Sequence, residues 1–311
     1  MDPIDLTKVK TVSLKRQGRK VETDTFARPL ARGSSLRDFF QSLPHVLAAT
    51  EFREVVQGFV EARRTGKMAI LAMGAHAIKV GLSPIIIQLL QKGVFKAVAM
   101  NGAGIIHDLE IAMVGKTSED VESELDRGTF GMAEETSRII NTAINEGARH
   151  KWGIGKSLGN RMIKEDFPFA EMSILAATER LAIPVTVHVA IGTDINHMHP
   201  TANGAAIGEG THRDFRVFVS LVSQLEGGVY LNLGSAVVLP EVFLKALAVA
   251  RNLGHRIENF TAVNMDFLRH YRPTLNVVER PTRMGGKGVT LIGHHEIMFP
   301  LLVAAILEEI E

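Results

Sequence analysis

The sequence predicts an α/β fold: one mostly parallel sheet with helices on both faces, preceded by a short N-terminal arm and helices. Two observations carry that expectation. Short, almost wholly apolar runs recur along the chain, as strands buried on both faces require, and segments of helical periodicity lie between them. Such alternation is the pattern of strands joined by crossover helices. The runs fall at residues 68–73, 97–100, 184–191, 229–233, 261–264 and 289–292.

At the start of the chain, residues 1–32 are polar and basic (Lys8, Lys10, Lys15, Arg16, Arg19, Lys20, Arg28, Arg32) and nearly aperiodic, which reads as a solvated basic arm or a short strand pair. Residues 33–311 read as one α/β domain, with no repeat, low-complexity tract or linker. Phe52, Val55, Val56, Phe59 and Val60 keep the spacing of an amphipathic helix. Ser83 and Pro84 take cap and first-turn positions of a helix that Gly93 closes. Thr211 with Asp214 resembles a capping box for a segment ending at Gly227 and Gly228, and Pro240 begins a helix that runs to about Gly254.

Composition narrows the function classes. A chain of 311 residues, 46% apolar and 22% charged, has the makeup of a globular protein. A net charge of +1 gives no whole-molecule field toward nucleic acid or an anionic membrane. The absence of cysteine excludes disulfides, thiolate nucleophiles and Cys-based metal sites. The opening Met-Asp-Pro-Ile-Asp lacks a signal-peptide layout, and Lys79, Gln88, Lys92 and Lys96 interrupt the best apolar stretch. A cytoplasmic protein without a membrane span is the expectation.

Ligands of open α/β sheets bind beyond the carboxyl ends of the strands, and the polar residues gather there. Gly74, Ala75 and His76 come after the first run; Asn101, Gly102, Ala103 and Gly104 come after the second, with His107 and Asp108 behind them. The third leads into Asp194, His197 and His199, and the later ones into Gly234–Ser235, Asn264 with Asp266, and His294–His295. Six of the 12 histidines (76, 107, 197, 199, 294, 295) lie in these loops, which points to an enzyme or a ligand binder.

Asn101-Gly-Ala-Gly opening a helix permits close approach of a phosphate to free backbone N–H groups, although His107 stands where a third fingerprint glycine would be; a plain strand-to-helix turn is the alternative. His197 and His199 sit on one side of an extended segment and, with Asp194 and His294, suggest a metal-dependent hydrolase or lyase; the preferred reading gives them hydrogen-bonding roles and no metal. Of the adjacent His294 and His295, only one is expected to serve the site. Lys287 and Lys79 are candidate imine-forming or anion-holding lysines, or solvent-exposed ones.

These residues resemble a family. The segments 73–81, 101–108 and 233–238, and Phe299-Pro-Leu-Leu-Val-Ala-Ala near the C-terminus, look like the deoxyhypusine synthase family, in its bacterial deoxyhypusine synthase-like branch. The resemblance covers about residues 45–308. It implies a single Rossmann-like domain, a homotetramer of tight dimers with sites at the dimer interface, NAD as cofactor, and oxidation of a small polyamine-type amine to an imine for transfer. By position it implies cofactor contacts from Gly74, His76, Asn101, Gly102, Gly104, Asp108, Gly234, Ser235 and His294, and Asn264 and Asp266 join them as cofactor candidates from their place at the end of the fifth run. By position it also implies catalytic roles near Asp194 and Glu241; His197, from its proton-moving chemistry, and Lys287, if its loop folds inward, complete the catalytic candidates. The chain departs from the family where a Trp-Gly-Lys block supplies the lysine: residues 276–283 hold neither Trp nor Lys, and Lys287 is out of register. Alternatives from other classes are the metal-dependent enzyme above and a non-catalytic nucleotide binder.

Overall fold

The computed structural model describes residues 1–310. Two compact units divide the chain, Met1–Thr50 and the part from Glu51 on, so the boundary lies beyond the composition break at residue 32. The first unit holds three 3₁₀ turns (Leu6–Lys8, Leu14–Arg16, Thr23–Thr25) and helix α1 (Leu36–Ser42). Ser35 and Asp38 form a reciprocal capping box at the start of α1. Apart from Thr25 the arm is exposed, and 3₁₀ turns stand where a strand pair was one of two readings.

The second unit carries a six-stranded sheet, all parallel, in the order β3-β2-β1-β4-β5-β6. Helix α2 (Leu47–Arg64) leads into β1 (Ala69–Met73), which is followed by α3 (His76–Lys79) and α4 (Ser83–Gln91). Then come β2 (Ala97–Asn101), α5 (Gly102–Val114), α6 (Val121–Arg127), α7 (Glu134–Arg149), α8 (Ile154–Lys164) and α9 (Ile174–Arg180). Next are β3 (Val185–His188), α10 (Gly204–Val222), β4 (Val229–Leu233) and α11 (Val238–Asn252). The chain ends with β5 (Thr261–Asp266), α12 (Tyr271–Pro273), a π-helical stretch (Thr274–Glu279), β6 (Lys287–Ile292) and α13 (His295–Ile310).

Sequence and structure agree on six strands, within a few residues at each end. The reason is burial: β1 and β4 are buried at every residue, which demands the unbroken apolar runs that mark them. On one face of the sheet Ile70, Ala72, Tyr230 and Ala262 pack with Phe218 and Phe243, Tyr230 and Phe243 stacking at 3.7 Å. Ile70, Phe218 and Phe243 each contribute roughly 1.5–3 kcal/mol by leaving water. The pairing Met100–Met73–Leu233–Met265 across four strands brings their carboxyl ends level, so the loops that come next start from one edge.

Two local expectations are corrected. Ser83 is not a cap: it lies inside α4, Leu82 precedes it without a side-chain bond, and Pro84 supplies the stiff first turn. Thr211 and Asp214 are mid-helix, not a capping box. Helix α10 starts at Gly204, where Asn203 Oδ1 accepts the N–H groups of Ala205 and Ala206. The glycine-rich first turn hid that start. Thr211 instead donates to the Val187 carbonyl, and Asp214 accepts from the N–H groups of Gly155 and Val187, tying α10 to β3 and α8.

Candidate active site

The strand order sets β1 beside β4, the point where the chain reverses direction across the sheet and where ligands of such sheets bind. Two groups of residues line the carboxyl edge around it. One is a crevice over β1, β4 and β5; the other is a half-open cavity over β2 and the loop after β3.

In the crevice, backbone meets backbone. Gly74 N–H donates to the Leu233 carbonyl at 2.9 Å, and a Cβ on Gly74 would stand 2.4 Å from the Gly234 carbonyl oxygen. Gly234 has φ +64°, and a Cβ there would stand 2.6 Å from the His295 ring. His295 is wholly buried, its Nε2 lies 3.7 Å from Asp266 Oδ1, and neither ring nitrogen has a hydrogen-bond partner. Burial holds the His295 imidazole below its ordinary pKa, against the pull of Asp266. Above it the exposed Phe267 lies parallel to His294, ring centroids 6.4 Å apart, and His76 contacts Phe267 and His295. Beneath, Asn232 donates to Asn264 Oδ1 at 2.7 Å and to the Ser235 carbonyl, while Asn264 Nδ2 is unpaired. Ser235 Oγ accepts the Leu239 N–H at the start of α11.

The second group encloses a cavity of about 210 Å³ lined by Lys79, His107, Glu110, Glu119, Thr193 and Asp194, among others. Helix α5 builds one wall: His107 and Glu110, three apart, share a face. Thr117 joins them, its Oγ1 lying 2.5 Å from both His107 Nδ1 and Glu110 Oε2. Burial acts to raise the Glu110 carboxyl, but His107 and Thr117 outweigh it and hold it below the usual range. Glu119 is fixed by the N–H of Gly131 at 2.8 Å.

Asp194 enters from the other wall. Its carboxylate packs on Gly102, where a Cβ would fall 2.0 Å from Oδ2, so that glycine admits a side-chain carboxylate to the N-terminus of α5. The anion at that helix end is therefore Asp194 itself, and Asn101 Oδ1 takes the Gly104 N–H. Burial pushes the Asp194 carboxyl up, with His197 opposing. His197 lies in a 3₁₀ turn (Ile195–His197), not in an extended segment. Its Nδ1 accepts N–H groups from Gly192 and Asp194, which leaves the ring proton on Nε2, 3.9 Å from Asp194 Oδ2. Both of those atoms are buried and otherwise unpaired.

Other expected residues stand apart. Asp108 is fully buried on another face of α5, where it accepts Ser173 Oγ and the N–H groups of Ile174 and Leu175, capping α9. Burial pushes its carboxyl up to about 6. Glu241, in the first turn of α11, pairs with Lys245 and accepts Asn276 Nδ2 at 2.8 Å. Lys287 is the first residue of β6, at the opposite end of the sheet, half exposed and 3.0 Å from Glu54. His199 is bound between Thr201 and Glu134, at 2.8 and 2.7 Å, so it does not join His197. Among the described residues, no three His, Cys, Asp or Glu are placed to hold a metal ion. A larger hollow of about 650 Å³ lies by the amino end of β3, but Lys156 there is paired with Glu179, and Arg213 with Glu209.

Sequence reasoning missed Glu110, Thr117, Glu119 and Phe267 as members of these groups, and of the pair His294 and His295 it singled out His294 alone. Glu110 carried a signal, its i+3 spacing from His107 on a helix. Glu119 and Thr117 lie in the irregular segment after α5, where no periodicity marks direction.

No protein-family model matches the sequence, and no curated protein matches it. Solved structures do. A candidate deoxyhypusine synthase from Entamoeba histolytica matches at TM-score 0.53 and 12% identity, over 89% of this chain and 94% of that one. A conserved candidate LOR/SDH protein from Methanococcus maripaludis S2 matches at 0.52 and 14%, over 83% and 69%. AgrE, solved with ornithine and NAD⁺, matches at 0.51 and 16%, over 90% of this chain but 34% of its own. The cyanobacterial arginine dihydrolase ArgZ matches at 0.52 and 15%, and this chain again spans only about a third (33%) of it. At these identities the likeness is one of fold, and it extends over most of both chains for the candidate deoxyhypusine synthase.

Proposed function

We propose that the protein is an NAD-dependent enzyme of the deoxyhypusine synthase type, which oxidises a small amine to an imine for transfer. The observation that carries the reading is the charge of the cavity. Three carboxylates, Glu110, Glu119 and Asp194, and one lysine, Lys79, line about 210 Å³ at the carboxyl edge of the sheet. Opposite charge in a partly dry site favours a cationic ligand, and the volume suits a small one. AgrE, which shares the fold, was solved with ornithine and NAD⁺.

The crevice fits a ring-bearing dinucleotide. Gly74 and Gly234 keep its floor free of side chains, the exposed rings of His76, Phe267 and His294 stand over it, and the unpaired nitrogens of His295 and Asn264 lie buried beside it. Gly74, His76, Gly234, Ser235, Asp266, Phe267 and His294 would hold the cofactor, which when bound would accept hydride from the carbon bearing the amine nitrogen. Gly102 serves the amine side by admitting Asp194 to the α5 terminus, whose dipole favours the ionised carboxylate. Asp194 and Glu119 orient the cationic nitrogen, and Lys79 sets the limit of positive charge the cavity accepts.

A direct check incubates the protein with NAD and a panel of primary amines, ornithine and n-butylamine included, and follows NADH absorbance. Reduction by an amine supports the reading. Absence of NADH with every amine, together with undetectable amine binding, contradicts it.

A further inference from the structure

The hydrogen bonds around His107 decide which of its nitrogens bears hydrogen. Thr117 has one hydroxyl hydrogen, and Glu110 Oε2, 2.5 Å away, is an ionised acceptor that can only receive it. Thr117 Oγ1 therefore meets His107 Nδ1, also at 2.5 Å, as an acceptor, and Nδ1 carries the ring hydrogen. The neutral ring is left with its lone pair on Nε2. His107 lines the cavity, and Thr117 lines the groove that adjoins it along Glu110 and Glu119. Nδ1 is taken up by Thr117, while Nε2 has no hydrogen-bond partner among the described residues and is not one of the buried unpaired atoms, which leaves it open to a ligand of the cavity. His197 has the reverse arrangement, hydrogen on Nε2, and offers no lone pair there.

We propose that His107 Nε2 is the proton acceptor of this cavity, taking one proton from the ammonium group of an amine held by Asp194 and Glu119. The inference rests on the amine reading above. One N–H bond of the ammonium breaks and the Nε2–H bond forms. The amine nitrogen keeps the electron pair, which a C=N bond requires, and the positive charge passes to the imidazolium. Glu110 stabilises that charge through Thr117, as a carboxylate orients and supports a catalytic imidazole. The charged groups facing the ring's cavity side are Lys79 from α3, Glu119 from the segment after α5, and Asp194 from the loop after β3. Thr117 is a positioning residue.

Ring-nitrogen NMR of the full chain labelled with ¹⁵N-histidine tests this without turnover, the His107 signals being assigned by their loss in His107→Gln. In the ligand-free protein His107 should show the Nδ1–H tautomer; the Nε2–H tautomer overturns the proposal. Saturation with n-butylamine should draw its two well-separated nitrogen signals closer together, as the Nε2 lone pair accepts an N–H of the ammonium. Butyltrimethylammonium, equally charged but with no proton to give, should bind and leave them apart. Butylamine binding with His107 unchanged overturns the proton transfer while sparing the amine reading. Failure of both cations to bind at millimolar concentration overturns the amine reading and the transfer with it. Thr117→Ser should keep the tautomer and Thr117→Val should lose it, whereas a merely structural threonine would leave it unmoved in both.

Discussion

The cavity and the crevice share one sheet edge yet solve opposite problems. In the cavity, charge is concentrated and tied down: Glu110 is held by Thr117 and Thr136, and Glu119 by a backbone N–H. In the crevice, charge is scarce and backbones nearly touch, with a fully buried imidazole, His295, left without a hydrogen bond. A carboxylate needs partners to stay ionised out of water. A wall meant to meet flat rings and backbone needs glycine and aromatic faces. The difference teaches that one sheet edge can carry two kinds of wall: the segments after β2 and β3 bring carboxylates together, while the turns after β1 and β4 bring glycine backbones into contact.

The sharpest way to break the comparison is Gly74→Ala. Its Cβ would collide with the Gly234 backbone, which cannot swing aside, so a loss of about 3 kcal/mol is expected in urea unfolding. Unchanged stability would mean that the two turns are not in contact. Next comes Asp194→Asn, which removes a charge-assisted contact worth about 1.5–3 kcal/mol. Amine affinity should fall roughly 10- to 100-fold in calorimetry, while binding of NAD, assigned to the other region, should hold.

The scaffold supplies a third test. Asp214 is buried on backbone N–H groups, and burial pushes its carboxyl up to about 7. Because its folded pKa lies above the unfolded one, the native state holds the proton more tightly. The ionised form costs stability as pH rises from about 4 toward 7. Relative to Asp214→Asn, the native protein should therefore lose stability over that range, measured by urea midpoint at successive pH. A difference that grows in the other direction would contradict the assigned burial. The smallest effect belongs to Lys287→Ala, which breaks an exposed ion pair with Glu54 and should cost less than about 1 kcal/mol. Binding of amine and of NAD should be unmoved. A large loss of either would return Lys287 to the site.

The fold was legible because parallel strands buried on both faces must be apolar runs, as β1 and β4 are throughout, while the edge strand β6 shows the pattern only over its last residues. The edge was legible for the same reason, since Gly74, Asn101, Asp194, Gly234 and Asp266 lie at or just past the ends of those runs. Direction was not legible from the pattern. His107 and Asp108 are adjacent, yet one faces the cavity and the other caps α9, a distinction made by helix rotation against α9. His294 and His295 likewise part, one exposed and one buried, because α13 begins between them. Lys287 lies just before the last run, at the wrong end of a parallel strand for the site, and its pairing with Thr261 anchors it at that amino end.

The central claim is that two ligands occupy two regions of one edge. Calorimetric titration of NAD and then n-butylamine, into the native protein and into Asp194→Asn, addresses it most directly. NAD should bind near one site per chain in both, and amine binding should be strong in the native protein and reduced roughly 10- to 100-fold in the variant. No NAD binding at millimolar concentration, or equal amine affinity in the two proteins, would contradict it.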